Sequence, residues 1–185
     1  MPHRVCPWWI GYFLANPLRR LVHNPTTILR PFVSEGMTVV EPGPGMGFFT
    51  MELARLVGRP GRVVAIDVQP KMLVELRRRA VKAGLHDRIE VRQGTGEGMG
   101  LDDLKGQVDF VLAFAVVHEL PSAAMFFAEV STVLKSGRRL LLVEPHFGVS
   151  EQEFAATLQM ADQYGLRADS RPVIRWTRSA VLVKI

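Results

Sequence analysis

The strongest constraint on this chain is its rhythm. Short apolar runs alternate with stretches whose apolar residues recur at helical spacing, and glycine or proline stands at most junctions. Residues 37–41 (MTVVE) form a β-rich run, after which Phe49, Leu53, Leu56 and Val57 repeat with a helical period. A turn at 58–61 (GRPG) leads to a second strand, 62–66 (RVVAI). Pro70 suits the first turn of a helix; Met72, Leu73, Leu76, Ala80 and Ala83 mark its buried face and Gly84 its stop. Strands are expected at 88–91, at 108–113 (VDFVLA) and at 139–143 (RLLLV). Between the last two, Pro121 opens a helix with Met125, Ala128 and Leu134 on one side, ending at 135–137. A helix over 151–164, stopped at Gly165, precedes two tightly joined final strands, 166–173 and 176–185. Near-continuous apolar strands alternating with helices predict a doubly wound α/β sheet of about seven strands, mostly parallel and covered by helices on both faces. With no helix between them, the last two strands should pair antiparallel at one edge.

Composition narrows the class. The 185 residues, 48% apolar and 22% charged, suit one globular domain. The single cysteine, Cys6, allows no internal disulfide, which fits a reducing compartment. No apolar run approaches the ~20 residues of a membrane helix, and 108–117, interrupted by Asp109, reads as a buried strand. The N-terminus lacks the basic start and clean apolar core of a signal peptide, so the expected location is cytoplasmic. Charge is uneven: residues 1–34 carry Arg4, Arg19, Arg20 and Arg30 with no acid, together with Trp8, Trp9, Tyr12 and Phe13. This aromatic, basic segment reads as an arm or lid on a nearly neutral domain, 35–185. It suits a cover over an apolar pocket, a peripheral contact with an anionic membrane or an RNA contact; the plainer reading is a docked arm with solvated arginines.

The first strand runs into Glu41-Pro42-Gly43-Pro44-Gly45-Met46-Gly47, which opens the first long helix. Three glycines at alternate positions permit backbone angles closed to other residues and let a ligand lie against bare main chain at a helix N-terminus. Asp67 ends the second strand, 20 residues beyond Gly47, where an acid can accept both hydroxyls of a ribose. Packing glycines and a helix-capping aspartate are the bland alternative. A dinucleotide fingerprint GxGxxG anchored at Gly43 and Gly45 requires glycine at 48, where Phe48 stands.

The acid before the loop and the early third glycine resemble the (D/E)xGxGxG motif of class I S-adenosylmethionine-dependent methyltransferases. The resemblance runs from about residue 37 to the C-terminus and takes in 108–120 (VDFVLAFAVVHEL) and 133–145 (VLKSGRRLLLVEP). Within the family the sequence is similar to small-molecule enzymes such as the quinone-biosynthesis methyltransferases. The resemblance implies a Rossmann-like fold and S-adenosylmethionine as cofactor, with S-adenosylhomocysteine as product. It implies that Gly43, Gly45 and Gly47 cradle the methionine part and that Glu41 meets its amino group. Asp67 would take the ribose hydroxyls, Val68 would pack on the adenine, and Phe114 and Ala115 would border the methyl group. Thr95 stands where the family often has an aspartate for the adenine amino group, with Glu97 as a substitute.

Methyl transfer from a sulfonium is a direct displacement, so the protein mainly aligns the acceptor and excludes water. Candidate bases are His118 and Glu119 beyond the fourth strand and Glu144 and His146 beyond the fifth, with His118 the first choice and a main-chain-bonded loop histidine its plain alternative. His3, Cys6 and His23 lack any metal-ligand spacing, so no metal site is expected. The segment AFAVVHEL departs from the (D/N)PP(Y/F) of nucleobase and glutamine amino-methyltransferases, and one cysteine excludes the multi-cysteine site of arsenite methylation. The expected acceptor is a small apolar or planar molecule under the aromatic arm. An RNA methyltransferase and a nicotinamide-dependent oxidoreductase stay as alternatives, and a homodimer is left open.

Overall fold

The computed structural model describes residue 9, residues 16–95 and residues 98–185. The expectations placed on His3, Cys6, Trp8, Tyr12, Phe13 and Glu97 fall outside the described residues. A 3-10 turn, Pro17–Leu21, leads to a short helix α1 (Pro25–Leu29), started by the Asn24 side chain, which accepts the N–H groups of Thr26 and Thr27. Then come β1 (Thr38–Pro42), α2 (Thr50–Val57), β2 (Arg62–Asp67), α3 (Pro70–Lys82), β3 (Ile89–Gln93) and β4 (Val108–Phe114). The chain finishes with α4 (Ala123–Val133), β5 (Leu134–Pro145), α5 (Glu151–Gln163), β6 (Leu166–Ser170) and β7 (Thr177–Lys184).

The seven strands form one sheet in the order β3-β2-β1-β4-β5-β7-β6. β1 to β5 run parallel, with Val39 opposite Val63 on one side and Phe110 on the other. β7 is antiparallel to both β5 and β6 and lies between them, so the edge strand is β6. Strand order reverses between β1 and β4, which opens a crevice at their carboxyl ends, where ligands of such sheets bind. Successive side chains of a strand point to opposite faces, and the two cores follow that alternation. Val40, Val64, Val111 and Ala113 face Phe127 and Phe154 from α4 and α5. Val39, Val63, Phe110 and Leu112 face Leu53, Leu73 and Leu76 from α2 and α3. Each fully buried Leu or Phe contributes roughly 1.5–3 kcal/mol of transfer free energy, so these two layers carry the fold.

Several local expectations change. Ala83 caps the end of α3 and is exposed; Leu85 is buried in its place. The helix expected from Pro121 begins at Ala123, where the Ser122 hydroxyl accepts the Met125 N–H. Its buried face is Phe126, Phe127, Val130 and Val133; Met125 is exposed and Leu134 already starts β5. The turn at 135–137 lies inside the span of β5, where the β4–β5 register shifts and Gly137 has φ +73°. Asp109, the charge inside the apolar run, is buried. Burial pushes its carboxyl up, but the Lys135 ammonium at 2.7 Å and the Thr38 N–H at 3.0 Å more than offset this and hold it below its ordinary value.

From residue 25 onward the basic arm is part of the core. Leu29 and Val33 are buried with the α2–α3 layer, and Phe32 stacks on Phe110 with ring centroids 5.7 Å apart. No helix among the described residues is long and apolar enough to cross a membrane.

Candidate active site

The first strand delivers its glycines to the crevice in three different ways. All three have positive φ, +65°, +54° and +85° at Gly43, Gly45 and Gly47, a region costly for residues with a Cβ. At Gly43 a Cβ would also meet Val116 Cγ2 at 2.5 Å, and at Gly47 it would meet Leu76 Cδ1 at 2.4 Å. Gly45 has nothing within 4 Å of that position and lines the cavity. Gly47 does not line it; its glycine serves the packing of the loop against α3.

Two buried acids flank the loop. Glu41, in β1, is 4% exposed, and its Oε2 has no hydrogen-bond partner. Burial pushes its carboxyl up to about 8, with the Thr50 hydroxyl drawing it down and the charge of Asp67 adding to the rise. A buried acceptor without a donor is costly unless a ligand supplies one. Asp67, at the end of β2, accepts the Gly45 N–H on Oδ2 at 3.2 Å and the Gln69 N–H on Oδ1 at 2.9 Å. Burial raises its carboxyl too, against the pull of those main-chain donors. The main-chain donors of Gly45, Val68 and Gln69 do not exhaust the carboxylate's acceptor capacity, so the aspartate shapes the loop and can still accept from a hydroxyl. These residues fit a ligand with a donor-bearing cation near Glu41 and vicinal hydroxyls near Asp67.

The opposite wall comes from the ends of β4 and β5. Ala115 has φ +55°, an uncommon strain for a residue with a Cβ, held by its N–H to Val143 carbonyl bond at 2.7 Å. The chain then turns through Val117–Glu119, where Glu144 gathers three groups. Its Oε1 accepts the N–H of Val117 at 2.9 Å and of His118 at 3.3 Å, and its Oε2 bonds His118 Nδ1. Glu144 is 2% exposed, whereas His118 lines the cavity. The Glu144 partner raises the imidazole pKa above its ordinary value despite partial burial. His118 is therefore bonded to a side-chain carboxylate, not merely to main chain. Glu119 Oε1 lies 3.9 Å from His118 Nε2, and Glu119 also lines the cavity. His146 is exposed and does not line the cavity; its main-chain N–H donates to the carbonyl of Trp176, which does.

The cavity encloses about 750 Å3. Glu41, Gly43, Gly45, Asp67, Val68, Thr95, Phe114, Ala115 and His118, all expected from the sequence, line this one space. Thr95 and Gly98 close a tight loop by mutual main-chain bonds at 3.2 and 3.4 Å. Glu129, from α4, pins that loop through the Met99 N–H at 2.9 and 3.1 Å and lines the cavity beside it. Glu129 was not anticipated, since no motif marks a carboxylate in the middle of a helix.

Arg19 and His23 are the other additions. The Arg19 guanidinium carbon lies 4.6, 5.5 and 5.6 Å from the ring centroids of Phe48, Phe114 and Phe49, so this arm arginine packs half-buried against aromatic faces. Burial lowers its pKa to about 10. His23 packs edge-on against Phe114, and its Nε2 bonds the Arg175 carbonyl at 2.8 Å. Among the described residues no three His, Cys, Asp or Glu side chains cluster as a metal site.

Comparison with known proteins agrees with this geometry. The profile of the family described as "Methyltransferase domain" matches residues 33–175. The Ubiquinone/menaquinone biosynthesis C-methyltransferase UbiE of Brucella canis is 28% identical over 143 residues, 77% of this chain and 51% of that protein. The chain thus spans about half the length of the curated relatives it matches. A SAM dependent methyltransferase from Aquifex aeolicus superposes with a TM-score of 0.87 at 26% identity, covering 98% of this chain and 100% of that one. Geranyl diphosphate C-methyltransferase from Streptomyces coelicolor, solved with S-adenosyl-L-homocysteine, shares the fold at a TM-score of 0.72 and 15% identity, over 91% and 82% of the two chains. Strand order, glycine loop and the matching profile together lead to one conclusion: the chain belongs to the methyltransferase domain family, in its class I, S-adenosylmethionine-dependent form.

Proposed function

We propose that this protein transfers the methyl group of S-adenosylmethionine by direct displacement to a small, planar or apolar acceptor, with His118 as the base. The observation that carries the reading is one cavity lined both by acids and glycines, Glu41, Gly43, Gly45 and Asp67, and by the apolar side chains Phe48, Phe49, Phe114 and Met125. The bound cofactor supplies a carbon already activated for displacement. Glu41, with its unpartnered buried oxygen, receives the cofactor's amino group, and Asp67 its ribose hydroxyls. Gly45 leaves room for the methionine part, and Val68 with Gly94, Thr95, Gly98 and Met99 would flank the adenine. Glu144 holds His118 through Nδ1, which leaves Nε2 to take a proton from the acceptor as its nucleophilic atom attacks. The aromatic wall orients a planar acceptor and keeps water out.

Calorimetry with S-adenosylhomocysteine, together with transfer of label from S-adenosylmethionine to 1,4-naphthohydroquinone, tests this. Micromolar binding of the product and labelled quinol are expected. Well-folded protein that gives no heat at millimolar S-adenosylhomocysteine would overturn the reading.

A further inference from the structure

We propose that His23 is a positioning residue for the methyl acceptor, its Nδ1 accepting a hydrogen bond from a hydroxyl on the acceptor's ring. This rests on the methyltransferase reading and deepens it by naming a group the acceptor carries. His23 stands where the arm meets the domain. Its main-chain N–H donates to the Arg19 carbonyl at 2.8 Å, and the next residue, Asn24, caps α1. Its ring packs edge-on against Phe114 with centroids 5.3 Å apart, and both residues line the cavity. Phe114 is the last residue of β4, next to strained Ala115, so the imidazole borders the place where an acceptor must lie.

The chemistry follows from which ring nitrogen holds the hydrogen. Nε2 lies 2.8 Å from the Arg175 carbonyl, and a carbonyl only accepts, so Nε2 is the donor. That carbonyl is itself held in place. It belongs to the turn before β7, where Thr177 donates to the Ile174 carbonyl through its N–H at 3.2 Å and its hydroxyl at 2.9 Å, and where Trp176 has φ +61°. A neutral ring with its hydrogen on Nε2 carries a bare lone pair on Nδ1. Nδ1 is buried and has no hydrogen-bond partner among the described residues. Burial lowers the pKa of the ring; the Arg175 carbonyl draws it up and the charge of Arg19 adds to the fall. The ring is therefore neutral at neutral pH, and Nδ1 accepts. The two nitrogens face different ways, so the bond to the Arg175 carbonyl leaves Nδ1 available. A buried acceptor without a donor is costly, and a ligand seated against Phe114 can supply the donor that bulk water does not. An uncharged O–H suits the surroundings, because an ammonium would lose far more hydration among Phe48, Phe49 and Phe114. A hydroxyl is also the group that makes an aromatic ring nucleophilic. His23 and His118 thus bond in opposite senses within one cavity: His118 is tied through Nδ1 to Glu144, His23 through Nε2 to main chain. The first takes a proton; the second only holds one end of the acceptor.

The experiment measures binding of three probes to the full-length protein by equilibrium dialysis. 2-Naphthol can donate a hydrogen bond, 2-methoxynaphthalene keeps the oxygen and loses the hydrogen, and 2-methylnaphthalene has neither. 2-Naphthol should bind about tenfold more tightly than the other two, as expected for one neutral hydrogen bond to an otherwise unpaired buried acceptor. His23→Leu should bring that ratio to about one, whereas His118→Asn should leave it within threefold. His23→Asn, whose side-chain oxygen can stand where Nδ1 does, should keep part of the preference. In the histidine 15N spectrum the signals lost in His23→Leu should show a bare Nδ1, which 2-naphthol moves towards the hydrogen-bonded range and 2-methylnaphthalene does not. With 1,4-naphthohydroquinone as acceptor, His23→Leu should raise KM more than it lowers kcat. A histidine that merely ties the arm to the turn before β7 would move neither the ratio nor the nitrogen signal. Equal affinities of the three probes in the wild type, 2-methoxynaphthalene binding as tightly as 2-naphthol, or a ratio that survives His23→Leu would each overturn the proposal. The wild-type ratio needs no variant to fold, and the dialysis needs no cofactor. Silence towards S-adenosylhomocysteine would therefore count against the methyltransferase reading alone.

Discussion

His118 and Glu144 lie 26 residues apart in sequence, and parallel pairing of β4 with β5 makes them neighbours. The pairing sets the sign of two pH effects. A histidine raised above 6.5 by its partner contributes stability that is complete below 6.5 and is lost as pH rises through the raised value. As a base it works in the opposite sense, because only the neutral ring takes a proton, so turnover should climb through that same window. Glu144→Gln removes the cause of the rise: the acidic limb of the kcat profile should move to lower pH, and the plateau should fall about tenfold as the ring loses its orientation. His118→Asn should lower kcat about a hundredfold and leave S-adenosylhomocysteine affinity within twofold. A kcat–pH profile with an unmoved limb in the Gln variant would remove the base role. Glu41 makes a separate prediction. With its carboxyl at about 8 against an ordinary 4.5, the ligand-free fold loses stability as pH rises from 4.5 to about 8, because the folded state holds the proton more tightly. A cationic amino group at Glu41 expels that proton. S-adenosylhomocysteine affinity should therefore increase with pH up to about 8 and then level, with proton release visible when calorimetry is repeated in buffers of different ionisation enthalpy. Glu41→Gln should flatten the dependence.

At the scale of elements, the glycine loop separates folding from binding within five residues. Gly45→Ala places a methyl group in open cavity at φ +54°; it should cost about 1 kcal/mol in denaturant unfolding and lower cofactor affinity at least tenfold. Gly47→Ala meets Leu76 at φ +85° and should cost about 2–3 kcal/mol while acting on binding only through loop position. Urea unfolding and product binding measured on both variants decide between these outcomes. The loop itself was legible because the requirements on it are local: strand, glycines, helix and an acid at a fixed distance. The same locality exposed Asp67, Gly45, His118 and Glu144 but not which of them bond to one another. The face of α4 was misassigned because 123–133 is apolar almost all round, and only its Ser122 cap fixes which turn points inward. Likewise β7 slips between β5 and β6, a pairing set by long-range register that no alternation pattern announces. Arg19 reads in sequence as a solvated charge, since the three rings that hold it come from two segments far along the chain.

At the scale of the whole molecule, the question is where the arm stops being cover and becomes core. Every parallel strand delivers its carboxyl end to the same rim, and among the described elements no inserted domain roofs it. Of residues 17–23, Arg19 and His23 line the cavity, while 25–33 belongs to the α2–α3 layer through Leu29 and Val33. The Asn24 cap, bonded to Thr26 and Thr27, marks the change between the two. Removing residues 1–23 takes away Arg19 and His23 but leaves that cap, both core side chains and the whole cradle. This truncation should unfold cooperatively with a midpoint near that of the full chain, bind S-adenosylhomocysteine within about threefold, and lose most of its turnover. Removing residues 1–33 strips Leu29 and Val33 from the core, and a buried Leu truncated to Ala already costs about 2–5 kcal/mol. Since a domain of this size has roughly 5–15 kcal/mol in hand, the longer deletion should melt early or fail to fold. Product calorimetry, a thermal melt and turnover on the two truncations place the functional boundary between residues 23 and 25. Full turnover by the shorter truncation would instead make the arm a bystander, and the acceptor would then have to be gripped by the lining that remains, Phe48, Phe49, Phe114, Met125, Phe147 and Trp176.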